Sequence, residues 1–248
     1  MRTSNPVFNN TSFQVSAVGA GYGDTMTING TVNKTGILLL CVLASALWTW
    51  SQFMATRDPA TVMPYIWIGA LGGFVVALVT TFKKEWSPVT APIYALLEGL
   101  MLGSLSSILE LRFPGVAIES VALTFGTCFC MLLAYRSGLI RATDKFKLGI
   151  VSATGAIALV YLVSMVIGFF GVRVPYIYGS GPIGIIFSLV VVGIAALNLI
   201  LDFDFIEQGA LRSAPKYMEW FAAFGLMVTL VWLYLEILRL LTKLRDRR

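Results

Sequence analysis

Residues 35–56 read TGILLLCVLASALWTWSQFMAT and residues 59–82 read PATVMPYIWIGALGGFVVALVTTF, and neither stretch contains a charged side chain. A helix needs about 20 apolar residues to cross the hydrocarbon core of a bilayer, and both stretches exceed that length. Long apolar runs are typical of membrane helices, whereas a membrane β-barrel would show short alternating segments. The two stretches therefore predict two successive transmembrane helices.

Five more apolar stretches follow, and the connections between them are too short to separate domains. They cover residues 86–109, 114–135, 148–172, 183–206 and 218–243. The sequence thus predicts an all-α integral membrane protein, a bundle of seven transmembrane helices.

The seven stretches place the transmembrane domain at residues 35–243. Residues 1–34 are rich in Asn, Thr, Ser and Gly and hold little apolar surface, so we expect a flexible polar tail there. Residues 244–248 form a basic carboxyl-terminal tail.

The composition excludes several classes of function. Hydrophobic residues make up 57% of the chain and charged residues 12%, against about a quarter in a soluble domain. The net charge of +5 is scattered instead of forming a basic stripe, so we expect no nucleic-acid partner. The chain contains no histidine, the commonest general base and metal ligand, so we expect no enzyme and no resident cofactor.

The distribution of Lys and Arg in the short connections predicts the orientation in the membrane. Three arginines fall on one side of the bundle, Arg57, Arg112 and Arg173. The other side, which includes the amino terminus, holds Lys83, Lys84, Arg136, Arg141, Lys145, Lys147, Arg212 and Lys216. This predicts a cytoplasmic amino terminus. The basic carboxyl tail then lies outside, so either the tail is an exception or one apolar segment re-enters without crossing.

A charge at the centre of a membrane helix costs about 2.5 to 3.5 kcal/mol, so acids there usually face a cavity or a partner. Asp202 and Asp204 lie about 200° apart around a helix and cannot face one cavity together. Asn198 precedes Asp202 by one turn and shares its face. Alternatively, Asp202, Asp204 and Glu207 all lie at the water interface, where Arg212 and Lys216 neutralise them.

Two further acids interrupt apolar stretches. Glu98 precedes Gly99 and Gly103, whose spacing permits close contact between helices. Glu236 lies three residues before Arg239, which favours an ion pair within one helix.

The residues resemble the Bax inhibitor (transmembrane Bax inhibitor motif, YccA-like) family. Asp202, with Ile206 four residues later, resembles that family's aromatic-Asp-Thr-Gln-x-Ile signature. The stretch from Phe221 to Leu241 is similar to its final helix, and Glu98 to Gly103 to its third helix. The opening residues 2–8 resemble a bacterial branch, which implies the inner (plasma) membrane.

The resemblance implies a seven-helix fold whose final helix is surrounded by the others, and a pH-sensitive calcium leak controlled by two aspartates on the last two helices. Asp202 matches the first aspartate, although Phe203 and Asp204 replace Thr-Gln. In an ungapped match the second aspartate falls on Thr229, and a shifted match instead places Glu236 there.

We expect the sixth helix to end near residue 206, which places Asp202 about one turn from the cytoplasmic face, beside Glu219. The site predicted to sense protons and bind a transient Ca²⁺ therefore comprises Asp202, Asp204, Glu219 and Asn198, with Asp202 as the metal ligand. Glu98, Glu236 and Arg239 are candidates for a second gate. Carboxylates that share a poorly hydrated site titrate nearer to neutral pH than in water, which would couple protonation to opening.

The expected partners are the lipid bilayer, Ca²⁺ and protons. The alternative hypothesis is a non-conducting regulator that binds a membrane-bound AAA protease, as some bacterial relatives are thought to do, with residues 1–34 as its handle.

Overall fold

The computed structural model describes residues 25–170 and 179–247, and these form seven long α-helices and one short 3₁₀ helix, Lys84–Trp86. All seven are long and apolar enough to cross a membrane, so the chain is a multi-pass membrane protein in contact with lipid. In chain order the helices are α1 Ile28–Thr56, α2 Pro59–Phe82, α3 Ser87–Arg112, α4 Val116–Arg136, α5 Asp144–Phe169, α6 Pro182–Leu211 and α7 Met218–Asp246.

The first helix begins earlier than predicted. The Thr27 side chain accepts a hydrogen bond from the Gly30 amide and caps α1, so residues 28–34 belong to the helix and not to the tail. Residues 1–24 of the predicted tail lie outside the described residues.

The last two helices also run past their predicted ends. Helix α6 extends to Leu211 instead of residue 206, and α7 extends to Asp246, into the predicted tail 244–248. All other predicted boundaries lie within four residues of the observed ones.

Helix α7 contacts α1, α3, α4 and α6, and it buries a larger share of its residues than any other described helix. Its Leu233 and Ile237 face a core shared with Leu199 of α6, while Leu238 and Val231 face a second core. Helix α2 packs on α3, and α5 packs on α6.

The ends of the helices define two faces of the bundle. The basic face holds the start of α1 and the connections α2–α3, α4–α5 and α6–α7. On the opposite face, Arg112 contacts Asp246 at 3.2 Å and Arg245 contacts Glu119 at 2.7 Å, which places the end of α7 beside the α3–α4 connection. The helices described here therefore alternate in direction, and none of them re-enters.

The two glycines of α3 allow it to lie directly against α1. A Cβ atom on Gly99 would lie 2.0 Å from Ser45 Oγ, and one on Gly103 would lie 2.3 Å from the backbone oxygen of Ala46. Gly99 and Gly103 are thus packing residues, as their spacing predicts.

Candidate functional site

Asp202 is the centre of the candidate site. Its Oδ2 atom is enclosed and has no hydrogen-bond partner among the described residues. The side chains that interact with its carboxyl are Thr229 of α7 and Cys128 of α4. No described ion pair neutralises Asp202, although such a group in a low-dielectric interior normally has a cationic partner.

Asp202 lies deep in the bundle because α6 continues to Leu211. Nine residues separate the two, which corresponds to about 14 Å along the helix axis. Thr229 lies eleven residues after Met218, at about 16 Å from the start of α7. The two side chains therefore meet at a similar depth, about a third of the way along their helices from the basic face.

A cavity of about 1120 Å³, which we call the vestibule, opens on the basic face and extends toward this position. Cys128, Phe203 and Leu226 are among its lining residues. Cys128 lies near the Asp202 carboxyl and Phe203 follows Asp202 in the chain, whereas Asp202 itself is not a lining residue. Its outer lining includes Tyr135, Arg136, Arg141, Asp204 and Glu207.

Asp204 and Asn198 do not join Asp202. Asp204 forms an ion pair with Lys147 at 2.5 Å, on the vestibule side of α6. The Asn198 amide donates hydrogen bonds to Thr154 Oγ1 of α5 and to the Ile194 backbone oxygen, both at 2.8 Å.

Glu219 is likewise engaged elsewhere, although it is fully buried. Its Oε1 atom accepts hydrogen bonds from the Thr27 amide and the Thr27 hydroxyl, both at 2.9 Å, and pairs with Lys216 at 2.9 Å. Lys34 binds Oε2. Glu219 therefore holds the start of α1 against the start of α7, and the expected pairing of Asp202 with Glu219 or Asp204 does not form.

The predicted pairing of Asp202 with Glu219 or Asp204 is wrong because α6 ends later, and α1 begins earlier, than the sequence predicts. Five extra residues on α6 move Asp202 away from Glu219 and opposite Thr229. The composition of residues 1–34 places Lys34 in the tail. The helix cap signal at Thr27 would instead have placed Lys34 in α1, where it contacts Glu219.

Glu98 is the second enclosed carboxyl. Its side chain is 7% exposed, and Oε2 has no hydrogen-bond partner among the residues the structure describes. Tyr94, one turn earlier, interacts with the carboxyl, and the backbone of Gly73 in α2 lies against it. Glu98 faces α2, so it does not belong to the Asp202 site.

Glu236 and Arg239 form the ion pair that their spacing favours, with N–O distances of 2.9 and 3.0 Å. Tyr161 of α5 joins them: its hydroxyl donates to Glu236 at 2.9 Å and accepts from Arg239 at 2.6 Å. Tyr161 could not be found from the sequence, because a tyrosine in an apolar helix gives no sign of a distant partner. Glu236 lies seven residues after Thr229 along α7, closer to the face opposite the basic face. It is therefore not the acid next to Asp202.

The site could hold a cation only weakly. Within residues 25–170 and 179–247, no three Cys, Asp or Glu side chains are grouped to hold a metal ion. Ca²⁺ takes six to eight oxygen ligands, and here the side chains supply the Asp202 carboxyl itself and the Thr229 hydroxyl. A passing ion would therefore keep much of its water.

Comparison with known proteins gives one match. A family model described as "Bax inhibitor 1 like" matches residues 5–246, nearly the whole chain. Searches of curated proteins and of solved structures find no match. With its seven membrane-spanning helices and a match of this extent, the chain belongs to the Bax inhibitor 1 like family.

Proposed function

We propose that this protein is a proton-sensitive cation leak, with Ca²⁺ as the ion, in which Asp202 is the sensing group. The observation that carries the proposal is the enclosed Oδ2 atom of Asp202, which has no hydrogen-bond partner among the described residues, while the carboxyl has no described cationic partner. An ionised carboxylate in such a place costs several kcal/mol unless a cation or water accompanies it. The group is thus stable either with a proton or with an ion and its water.

These two states give a physical basis for gating. With a proton bound, Asp202 is neutral and the apolar contacts between α6 and α7 remain closed. When the proton leaves, the negative charge favours entry of water and a cation from the vestibule, whose inner wall includes Cys128 and Leu226. Weak coordination suits passage, since an ion that binds tightly does not leave.

The orientation is part of the proposal. Basic residues in short connections favour the cytoplasmic side, so the basic face and its vestibule would open to the cytoplasm of a cell whose inner membrane holds the protein. Glu98, Glu236 and Arg239 remain candidates for a second gate, because Glu98 and Glu236 are buried away from Asp202 and Arg239 pairs with Glu236.

Calcium flux into proteoliposomes tests the proposal. We expect the wild-type flux to rise by about tenfold as the pH increases through neutrality, because loss of the Asp202 proton opens the path. The flux of Asp202→Asn, which is permanently neutral at this position, should be low and independent of pH. Asp204→Asn is the matched control: Lys147 already neutralises that carboxylate, so the pH response should remain. An equal pH response in Asp202→Asn and wild type would remove Asp202 from the mechanism, and a pH-independent wild-type leak would remove the proton switch.

The alternative, a non-conducting regulator of a membrane-bound protease, is favoured by the attachment of the amino-terminal segment. The Met26 amide donates to the Ala214 backbone oxygen at 2.7 Å, and Met26 is buried. A partner that binds residues before Thr25 would thus act close to the α6–α7 connection.

Deletion of residues 1–24 separates the two functions, because it leaves Met26, Thr27 and Lys34 in place. As a regulator, the shortened protein should lose its effect on the protease while any calcium flux is unchanged. A deletion that leaves regulation intact would contradict the role of the tail as a handle.

A further inference from the structure

A lateral cleft lies between α1 and the first half of α4. Its volume is about 1120 Å³, and it is lined on α1 from Val32 to Trp50, a distance of about 27 Å along the axis. Helices α3 and α7 form its floor, with Leu102, Leu230 and Val231 among the floor residues. The cleft thus spans nearly the whole hydrocarbon core, which is about 30 Å thick.

The cleft and the vestibule meet at one place. Val32, Gly36 and Leu39 line both of them. A Cβ atom on Gly36 would meet no atom within 4 Å, so the absence of a side chain there keeps the junction open. The polar mouth on the basic face is therefore continuous with the apolar cleft below it.

Two arginines stand at that mouth. Arg136 at the end of α4 and Arg141 in the α4–α5 connection line the vestibule, and neither forms an ion pair with a described residue. Asp204 is neutralised by Lys147, which leaves Glu207, bound by the Tyr135 hydroxyl, as the acid against two guanidinium groups. With Arg136, Arg141 and Lys147 against Asp204 and Glu207, the mouth carries one excess positive charge. An anion bound there would neutralise this charge and so remove a barrier to a cation that enters the vestibule.

The connection itself lies at the membrane surface. Leu139, between the two arginines, is 82% exposed, which is unfavourable in water and favourable at the boundary of the acyl chains. Arginines at this level meet the phosphate groups of the lipid, and guanidinium pairs well with phosphate.

We propose that the α1–α4 cleft binds one anionic phospholipid, with its phosphate at Arg136 and Arg141 and an acyl chain lying past Gly36 along α1. The occupant is a lipid because the arginines at the mouth suit a phosphate group and the apolar cleft suits an acyl chain. The mouth lies at the surface level and the cleft at the level of the hydrocarbon core, as the two parts of a lipid do in a bilayer. An apolar space open to the membrane interior is filled by acyl chains, since water finds no partners there.

Native mass spectrometry of the full chain in detergent, with equal amounts of phosphatidylglycerol and phosphatidylcholine, tests the proposal. Wild type should retain phosphatidylglycerol about tenfold better than phosphatidylcholine. The double variant Arg136→Gln/Arg141→Gln should lose this preference. Arg212→Gln, which removes an exposed arginine of the same face outside the vestibule, should keep it. Equal retention of both lipids by wild type, or an unchanged preference in the double variant, would overturn the proposal.

A second pair of variants tests the acyl chain. Gly36→Leu fills the junction and should lower the retention of phosphatidylglycerol by about tenfold. Gly155→Leu on α5 is the matched control, because that glycine is also surrounded by open space but lies outside the cleft. Equal retention in the two leucine variants, or release of the lipid by millimolar inorganic phosphate, would show that the cleft holds no acyl chain.

Discussion

A Gly103→Ala variant is expected to unfold at a clearly lower temperature than wild type, although alanine is the better helix former. The new Cβ atom would lie 2.3 Å from the Ala46 backbone oxygen and 2.3 Å from Thr49 Oγ1. Because one of these atoms belongs to the backbone, no rotamer change can relieve the overlap, and α1 must move away from α3. Overpacking of this kind costs about 1 to 3 kcal/mol. Thermal unfolding in a mild detergent should therefore show a midpoint about 5 °C lower.

Gly126→Ala provides the comparison for that experiment. Gly126 lies within α4, and a Cβ atom there would meet nothing within 4 Å. The substitution should leave stability unchanged or raise it by up to about 1 kcal/mol, since it adds helix propensity without a clash. If Gly103→Ala were as stable as Gly126→Ala, the close contact between α1 and α3 would be refuted.

Removal of the Glu219 carboxylate should have the larger effect on stability. Glu219→Ala leaves Lys34, whose side chain is 16% exposed, without its anionic partner, and it removes both hydrogen bonds to Thr27. Breaking a buried ion pair from one side costs about 3 to 5 kcal/mol, because the remaining charge stays desolvated. We expect a low yield of folded protein and a strong loss of thermal stability. The thermal stability of Glu219→Gln, which keeps an acceptor for Thr27, should lie between that of wild type and that of Glu219→Ala.

An exposed ion pair serves as the control. Asp246 pairs with Arg112, whose side chain is 72% exposed, so Asp246→Asn should cost less than about 1 kcal/mol. Equal losses for Glu219→Ala and Asp246→Asn would mean that the contacts of Glu219 do not hold α1 to α7.

The number, order and approximate ends of the helices could be predicted, because the hydrophobic requirement for crossing a bilayer acts on each segment separately. Asp202 could be found for the same reason, as a costly charge within an apolar run. Its neighbours could not. Which side chains meet depends on where helices that continue past the apolar run begin and end. Residues 207–211 begin with Glu-Gln-Gly and therefore give no apolar signal for continuation.

Contacts between side chains on distant helices could not be predicted from the sequence either. The pair Glu236 and Arg239 lies within one turn and is visible from spacing, whereas Tyr161 joins it from 75 residues away. Thr229 illustrates a third limit: a hydroxyl in an apolar helix usually bonds to its own backbone, as Thr229 does to the Gly225 oxygen at 3.3 Å. Only the approach of α6 gives this residue its place beside Asp202.

The contact between Thr27 and Glu219 joins residues 192 positions apart. A ribosome therefore completes six helices before the carboxylate that anchors the first one has been made. Until then Lys34 and the amide of Thr27 must remain hydrated at the membrane surface, and the amino-terminal end of α1 cannot reach its final place. The contact between α1 and α7 can therefore form only after Glu219 has been synthesised.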